Sequence, residues 1–128
     1  MMLEPGLQAT VEETVTDEMT AERLGSGDVP VLGTPAVLAL VEAAAVAAVA
    51  DALELGTASV GASVRLDHVA PTPVGATVTA TAALDEVDGR RLRFRFEVTD
   101  GAGPVARGEH VRVIVDRDRF LDTARRRA

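Results

Sequence analysis

From residue 57 onward the chain reads in twos. Val60, Ala62, Val64, Leu66 and His68 take alternate positions with Ser63, Arg65 and Asp67 between them, and Pro71-Thr72-Pro73 ends the run. Val78, Ala80, Ala82 and Leu84 then alternate with Thr77, Thr79 and Thr81. Asp88-Gly89 supplies a hairpin turn, and Leu92, Phe94, Phe96 and Val98 alternate with Arg91, Arg93, Arg95 and Glu97. A second turn at Asp100-Gly101 leads to a last strand over 105–115, and a short polar, Arg-rich tail follows from Asp116.

The first third of the chain has other periods. Residues 7–16 alternate loosely, with Leu7, Ala9, Val11 and Val15 on one face, and predict a first strand. Residues 20–33 are rich in Gly, Ser and Pro and predict a connecting segment with one helical turn, long enough to act as a lid or binding segment. Thr34-Pro35 then opens a helix: an N-cap residue, the residue favoured at the first helical position, a long apolar run, and Gly56 as its stop.

Strand, long helix and four strands predict an α+β fold, with about five antiparallel strands wrapped round one central helix and residues 1–128 forming one domain. Because the helix is apolar almost all round, it is expected to be buried on nearly every side. One sheet cannot enclose it. A second copy of the chain is therefore predicted to cover the remainder, giving a homodimer, with assembly into tetramers left open.

Composition narrows the function. Thirteen basic residues, all arginine, against twenty acidic ones give a net charge of -7, which argues against nucleic acid or an anionic membrane as partner. The only aromatics are Phe94, Phe96 and Phe120, so base- or sugar-stacking platforms are not expected. Without cysteine there is no disulfide, thiolate nucleophile or zinc-thiolate site, and a cytoplasmic location is expected. The N-terminal residues do not read as a secretion signal, and the apolar run 35–50 is shorter than the roughly 20 residues of a membrane span, so it is read as a core helix.

Three residues stand out as candidate chemistry. Glu42 is the only ionisable group in the stretch 35–50, where a charge is costly unless paired; it reads as a general base, nucleophile or orienting group, or else as half of a buried salt bridge with an arginine. His68, by parity on the inward strand face, is a candidate acid or base, although an inward His is often a satisfied core residue. Thr34 reads as an ordinary cap or as a group at a helix N-terminus that can hold a carbonyl oxygen turning negative. Thr34 and Glu42 lie about 12 Å apart along a helix axis, so if both serve one reaction, either the substrate spans them or two subunits share the site. His110 has no metal-spacing partner and reads as structural, while Arg90, Arg91, Arg93 and Arg95 read as a solvated face or a docking surface for a nucleotide phosphate. No Walker loop, dinucleotide fingerprint, H-E-x-x-H motif or G-x-S-x-G elbow is present, and no metal site is expected.

Taken together, Thr34 with Glu42 eight residues on, then V-G-A-S-V-R-L-D-H-V-A-P-T-P-V-G-A-T-V with His68, the D-G-R-R-L hairpin at 88–92 and G-E-H-V-R at 108–112 resemble the hotdog-fold thioesterases of the fluoroacetyl-CoA thioesterase-like family, from about Gly33 to Phe120. The resemblance implies a hotdog fold and hydrolysis of an acyl-CoA without a cofactor, coenzyme A being part of the substrate. It also implies a catalytic group of Thr34, Glu42 and His68, the Gly61 amide beside the thioester carbonyl, Arg112 near the pocket entrance, and a pocket at a dimer interface. Where the family's fluoroacetyl-selective pocket is shut by phenylalanines before the helix, this chain has Gly25-Ser26-Gly27-Asp28 and no Phe before Phe94, so another small or medium acyl group is expected. The alternatives are a non-catalytic module on the same fold that binds acyl-CoA or a small hydrophobic acid, and, less well matched, a hydratase or dehydratase.

Overall fold

The structure is a computed structural model describing residues 2–128. In chain order it contains β1 (Gln8–Thr14), α1 (Ala21–Leu24), α2 (Thr34–Val49), β2 (Thr57–His68), β3 (Thr77–Asp88), β4 (Arg91–Asp100), β5 (Gly103–Asp116) and α3 (Arg117–Arg125). Period-two patterning becomes burial directly. Val78, Ala80, Ala82 and Leu84 on β3 and Leu92, Phe94, Phe96 and Val98 on β4 are all buried, whereas Arg91, Arg93 and Arg95 stand in solvent on the opposite face. On that outer face Arg93 meets Glu86 and Glu109, and Arg95 meets Asp85, the solvated face that the arginine run predicted.

All five strands form one antiparallel sheet in the order β1-β3-β4-β5-β2, which leaves β1 and β2 as its edges. α2 lies across the inner face and buries Val37, Leu40, Val41, Ala44, Ala45, Ala48 and Val49 against it. Each Val or Leu side chain so buried is worth about 1.5–3 kcal/mol. Helix α2 with the turn after it, Thr34–Ala52, is apolar enough by composition to resemble a membrane span, but here its buried stripe is the core.

Three expectations need correction. Gly33, not Thr34, is the N-cap of α2, and Thr34 is its first residue. The helix ends at Val49 and tightens into a 3-10 turn at Ala50–Ala52, so it stops well before Gly56, whose φ of 84° serves the turn into β2 instead. One sheet does not enclose the helix, as expected: Pro35, Ala39, Ala43, Val46 and Ala47 lie on an exposed apolar stripe that this one chain leaves uncovered. Finally, the Arg-rich tail is a helix. Asp116 accepts a hydrogen bond from the Arg119 amide at 3.1 Å, Asp118 sits in the first turn, Arg125 in the last, and Asp122 pairs with Arg126 at 2.8 Å, all of which suit the helix dipole and its open ends.

Candidate active site

Strand β2 carries the feature that organises the site. Its pairing with β5 slips between Gly61 and Ser63, where two residues on β2 span one step of the partner. A regular strand would send Gly61 and His68, an odd number of positions apart, to opposite faces. With the extra residue both face the helix, and so does Ser59. The expected single face of Val60, Ala62, Val64, Leu66 and His68 is thus broken, because the bulge reverses the parity of the first half of the strand.

At the far end of β2, His68 meets the start of α2. Thr34 Oγ1 and His68 Nδ1 are 2.8 Å apart. Since Gly33 fills the cap position, the Thr34 hydroxyl is not spent on the helix and is free for this bond. The other ring nitrogen, Nε2, is buried and has no hydrogen-bond partner among the described residues. An unpaired buried nitrogen of this kind is expensive in a stable core and common at reacting sites.

At the middle of α2 the second cluster forms. Glu42 Oε2 accepts from Arg112 Nη1 at 3.2 Å. The two partners differ sharply: the Arg112 side chain is 6% exposed and that of Glu42 42%. The picture of an acid sunk among apolar side chains is therefore overturned, since it is the cation that is buried and the carboxylate that reaches out along the uncovered stripe of α2. Arg112 is fixed from two further sides, with Nε donating to Ser59 Oγ and Nη2 to the Ser59 carbonyl, both at 2.9 Å, and Nη1 also approaching His110 Nε2 at 3.1 Å.

Gly61 lies against the carboxylate. A Cβ on it would stand 2.7 Å from Glu42 Oε2, 3.5 Å from His110 Cε1 and 3.6 Å from Arg112 Nη1, so a side chain there would push the carboxylate out of this position. His110 is the residue that sequence reasoning passed over. It is 2% exposed, its Nδ1 lies 2.8 Å from the Ser63 carbonyl beside the bulge, and burial holds its pKa below the usual histidine value. The signal was available: His110 and Arg112 occupy alternate positions on a strand, and β4 buries Phe94 and Leu92 opposite them.

The structure thus joins the candidates in two groups rather than one. Thr34 and His68 form one group and Glu42, Arg112 and Gly61 the other, with two turns of α2 between them; Glu42 and His68 make no hydrogen bond within the chain. Chemically, the first group can take a proton and the second offers a fixed carboxylate beside a strand amide.

A five-stranded antiparallel sheet curled round one long helix, with polar clusters at both ends of an edge strand, defines a hotdog-fold protein. The model of the FlK family, described as fluoroacetyl-CoA-specific thioesterase, matches residues 15–118. A fluoroacetyl-CoA thioesterase from Streptantibioticus cattleyicolor is 40% identical over 90 residues, covering 70% of this chain and 65% of its own length. The crystal structure of the fluoroacetyl-CoA thioesterase FlK superposes with a TM-score of 0.92 at 32% identity, covering 98% of both chains, and a thioesterase superfamily member from Thermus thermophilus gives 0.88 at 28%, covering 96% of this chain and 91% of that one. The chain belongs to the fluoroacetyl-CoA-specific thioesterase family.

Proposed function

We propose that the protein is an acyl-CoA thioesterase that hydrolyses a small or medium acyl-CoA at a site shared by two copies of the chain. The observation that carries this reading is the unpartnered, buried Nε2 of His68, held by Thr34 at the end of an open edge strand. If β2 pairs antiparallel with β2 of a second copy about a two-fold falling between Val64 and Arg65, His68 comes to lie opposite Gly61 of that copy, and hence near its Glu42. The same pairing sets the exposed stripes of the two α2 helices toward each other, which supports the dimer independently. One hotdog domain per chain is enough for this arrangement.

In this reading His68 donates Nδ1–H to Thr34 Oγ1, which leaves Nε2 as the base. Nε2 takes a proton from water as its oxygen bonds to the thioester carbonyl carbon. The Gly61 amide and the Thr34 hydroxyl hold the carbonyl oxygen as it becomes negative, and Glu42 stabilises the imidazolium across the interface. The carbon–sulfur bond then breaks, the proton passes from His68 to the thiolate, and the products are the free acid and coenzyme A. Side chains and water suffice, without metal or cofactor. Residues 25–28, Gly-Ser-Gly-Asp, offer no aromatic cover over the acyl group, which favours tolerance among small and medium chains over selectivity for fluoroacetyl. A cytoplasmic location is part of this reading, since a chain without disulfides suits a reducing compartment.

The test is thiol release from a panel of acyl-CoA esters. Parent protein is expected to turn over, and Glu42→Gln or His68→Ala to lose roughly a hundredfold or more in kcat. Thermal stabilisation by the esters with no thiol released would instead establish a binding module, and variants as active as the parent would remove these two residues from the site.

A further inference from the structure

His110 lies outside the reacting groups proposed above, yet its ring is buried and both of its nitrogens have partners. Its Nδ1 faces the Ser63 carbonyl, which can only accept, so Nδ1 carries the hydrogen and Nε2 is left with a lone pair. Arg112 Nη1, which can only donate, fills that lone pair at 3.1 Å. Nη1 has two hydrogens, and with one directed at His110 the other is directed at Glu42 Oε2. On the bulge side, the bond to Ser63 ties the turned section of β2 to β5 next to Gly61. The ring itself is packed toward Phe94, with centroids 6.4 Å apart.

We infer that His110 is a positioning residue: as the neutral Nδ1–H tautomer it aims Arg112 at Glu42, and so fixes the carboxylate against Gly61. Protonation would replace the lone pair with an N–H facing an arginine N–H, and burial together with the Arg112 charge holds the ring neutral against the opposing pull of the Ser63 carbonyl and Glu42. The inference rests on the catalytic reading of Glu42, and the experiment keeps the two apart.

Three variants divide the ring's functions. His110→Gln can put a carbonyl oxygen where Nε2 was and keep the acceptor for Arg112. His110→Asn can put an amide N–H where Nδ1 was and keep only the bond to Ser63. His110→Phe keeps the volume and neither bond. Against the acyl-CoA ester that the parent hydrolyses fastest, His110→Phe and His110→Asn are expected to lose roughly tenfold to a hundredfold in kcat with KM within about twofold, while His110→Gln stays within about threefold of the parent. Circular dichroism melts run beside the kinetics exclude unfolding as the cause. Equal activity in His110→Asn and the parent, or a loss in His110→Gln as large as in His110→Asn, overturns the inference and leaves His110 a structural pin. If His110→Phe does not fold, the Gln and Asn pair decides alone. Glu42→Gln is the control. Its inactivity with all His110 variants active sinks only this inference, whereas its full activity sinks the catalytic reading beneath it.

Discussion

At the scale of single residues, two glycines show how similar crowding can serve different ends. Gly108 on β5 admits no side chain because a Cβ would run into the Arg65 carbonyl of β2 and stand 2.8 Å from the Phe96 ring. Backbone and a buried aromatic cannot give way, so that glycine holds the sheet together. Gly61 is crowded only by the head of a half-exposed Glu42 side chain. A methyl group there can be relieved by swinging the carboxylate away from Arg112. Gly61→Ala is therefore expected to fold with a stability within about 1 kcal/mol of the parent, yet to lose activity on acyl-CoA esters, because the carboxylate moves and the amide is shielded. Denaturant titration and thiol-release kinetics on one preparation check both halves, and an active Gly61→Ala removes Gly61 from the site. Glu42 itself teaches the same lesson about legibility. Its isolation in an apolar helix marked it out in the sequence, but isolation does not say which way a side chain points, and the buried charge proved to belong to Arg112.

Among elements, the strands and their inward faces were legible, since β3 and β4 bury the very alternating residues that the pattern named, and both hairpin turns fall where Asp-Gly predicts them. What could not be read was the bulge in β2. A bulge is a property of two strands in register, and nothing in 57–68 alone says that one residue will be left over. The polar joint between the segment after β2 and the β4–β5 turn was equally hidden. Thr72, fully buried, donates to Asp100 Oδ2 at 2.8 Å, and Asp100 Oδ1 accepts from the Ala102 amide. The Thr72 bond, with the Ala102 amide second, holds the Asp100 carboxyl below its ordinary value of 3.8. A carboxyl with a lowered folded pKa binds fewer protons in the folded state, so its contribution is present above pH 3.8 and is lost as pH falls through the folded value. His110, lowered from 6.5 by burial, acts with the same sign in a higher window. Thr72→Val is accordingly expected to melt below the parent at pH 5 to 7 and to converge with it in strong acid, where Asp100 is protonated in both. Melting curves across pH test this, and a constant gap down to the acid end would assign the effect to packing at Thr72 alone.

On the scale of the whole molecule, one chain leaves two adjoining surfaces uncovered. An edge strand with open hydrogen-bonding groups runs beside an apolar helix stripe, and the two halves of the proposed chemistry sit at opposite ends of that edge. Natural sheets rarely leave such an edge bare. A shared site makes a sharp forecast for mixtures. Glu42→Ala and His68→Ala, each inactive alone, are mixed in equal amounts and allowed to exchange subunits. Half of the resulting dimers carry one chain of each kind, and in those dimers one of the two sites joins an intact His68 to an intact Glu42 while the other site has lost both. Activity should return to about one quarter of the parent value as exchange proceeds. A site complete within each chain predicts no return at any time, because every chain in the mixture lacks one member. Ala47→Glu places a charge on the exposed stripe of α2, where a monomer would tolerate it within about 0.5 kcal/mol. In a dimer it should lower both the sedimenting mass and the activity together, and activity that persists in a sedimenting monomer would show that the second copy contributes nothing to the reaction.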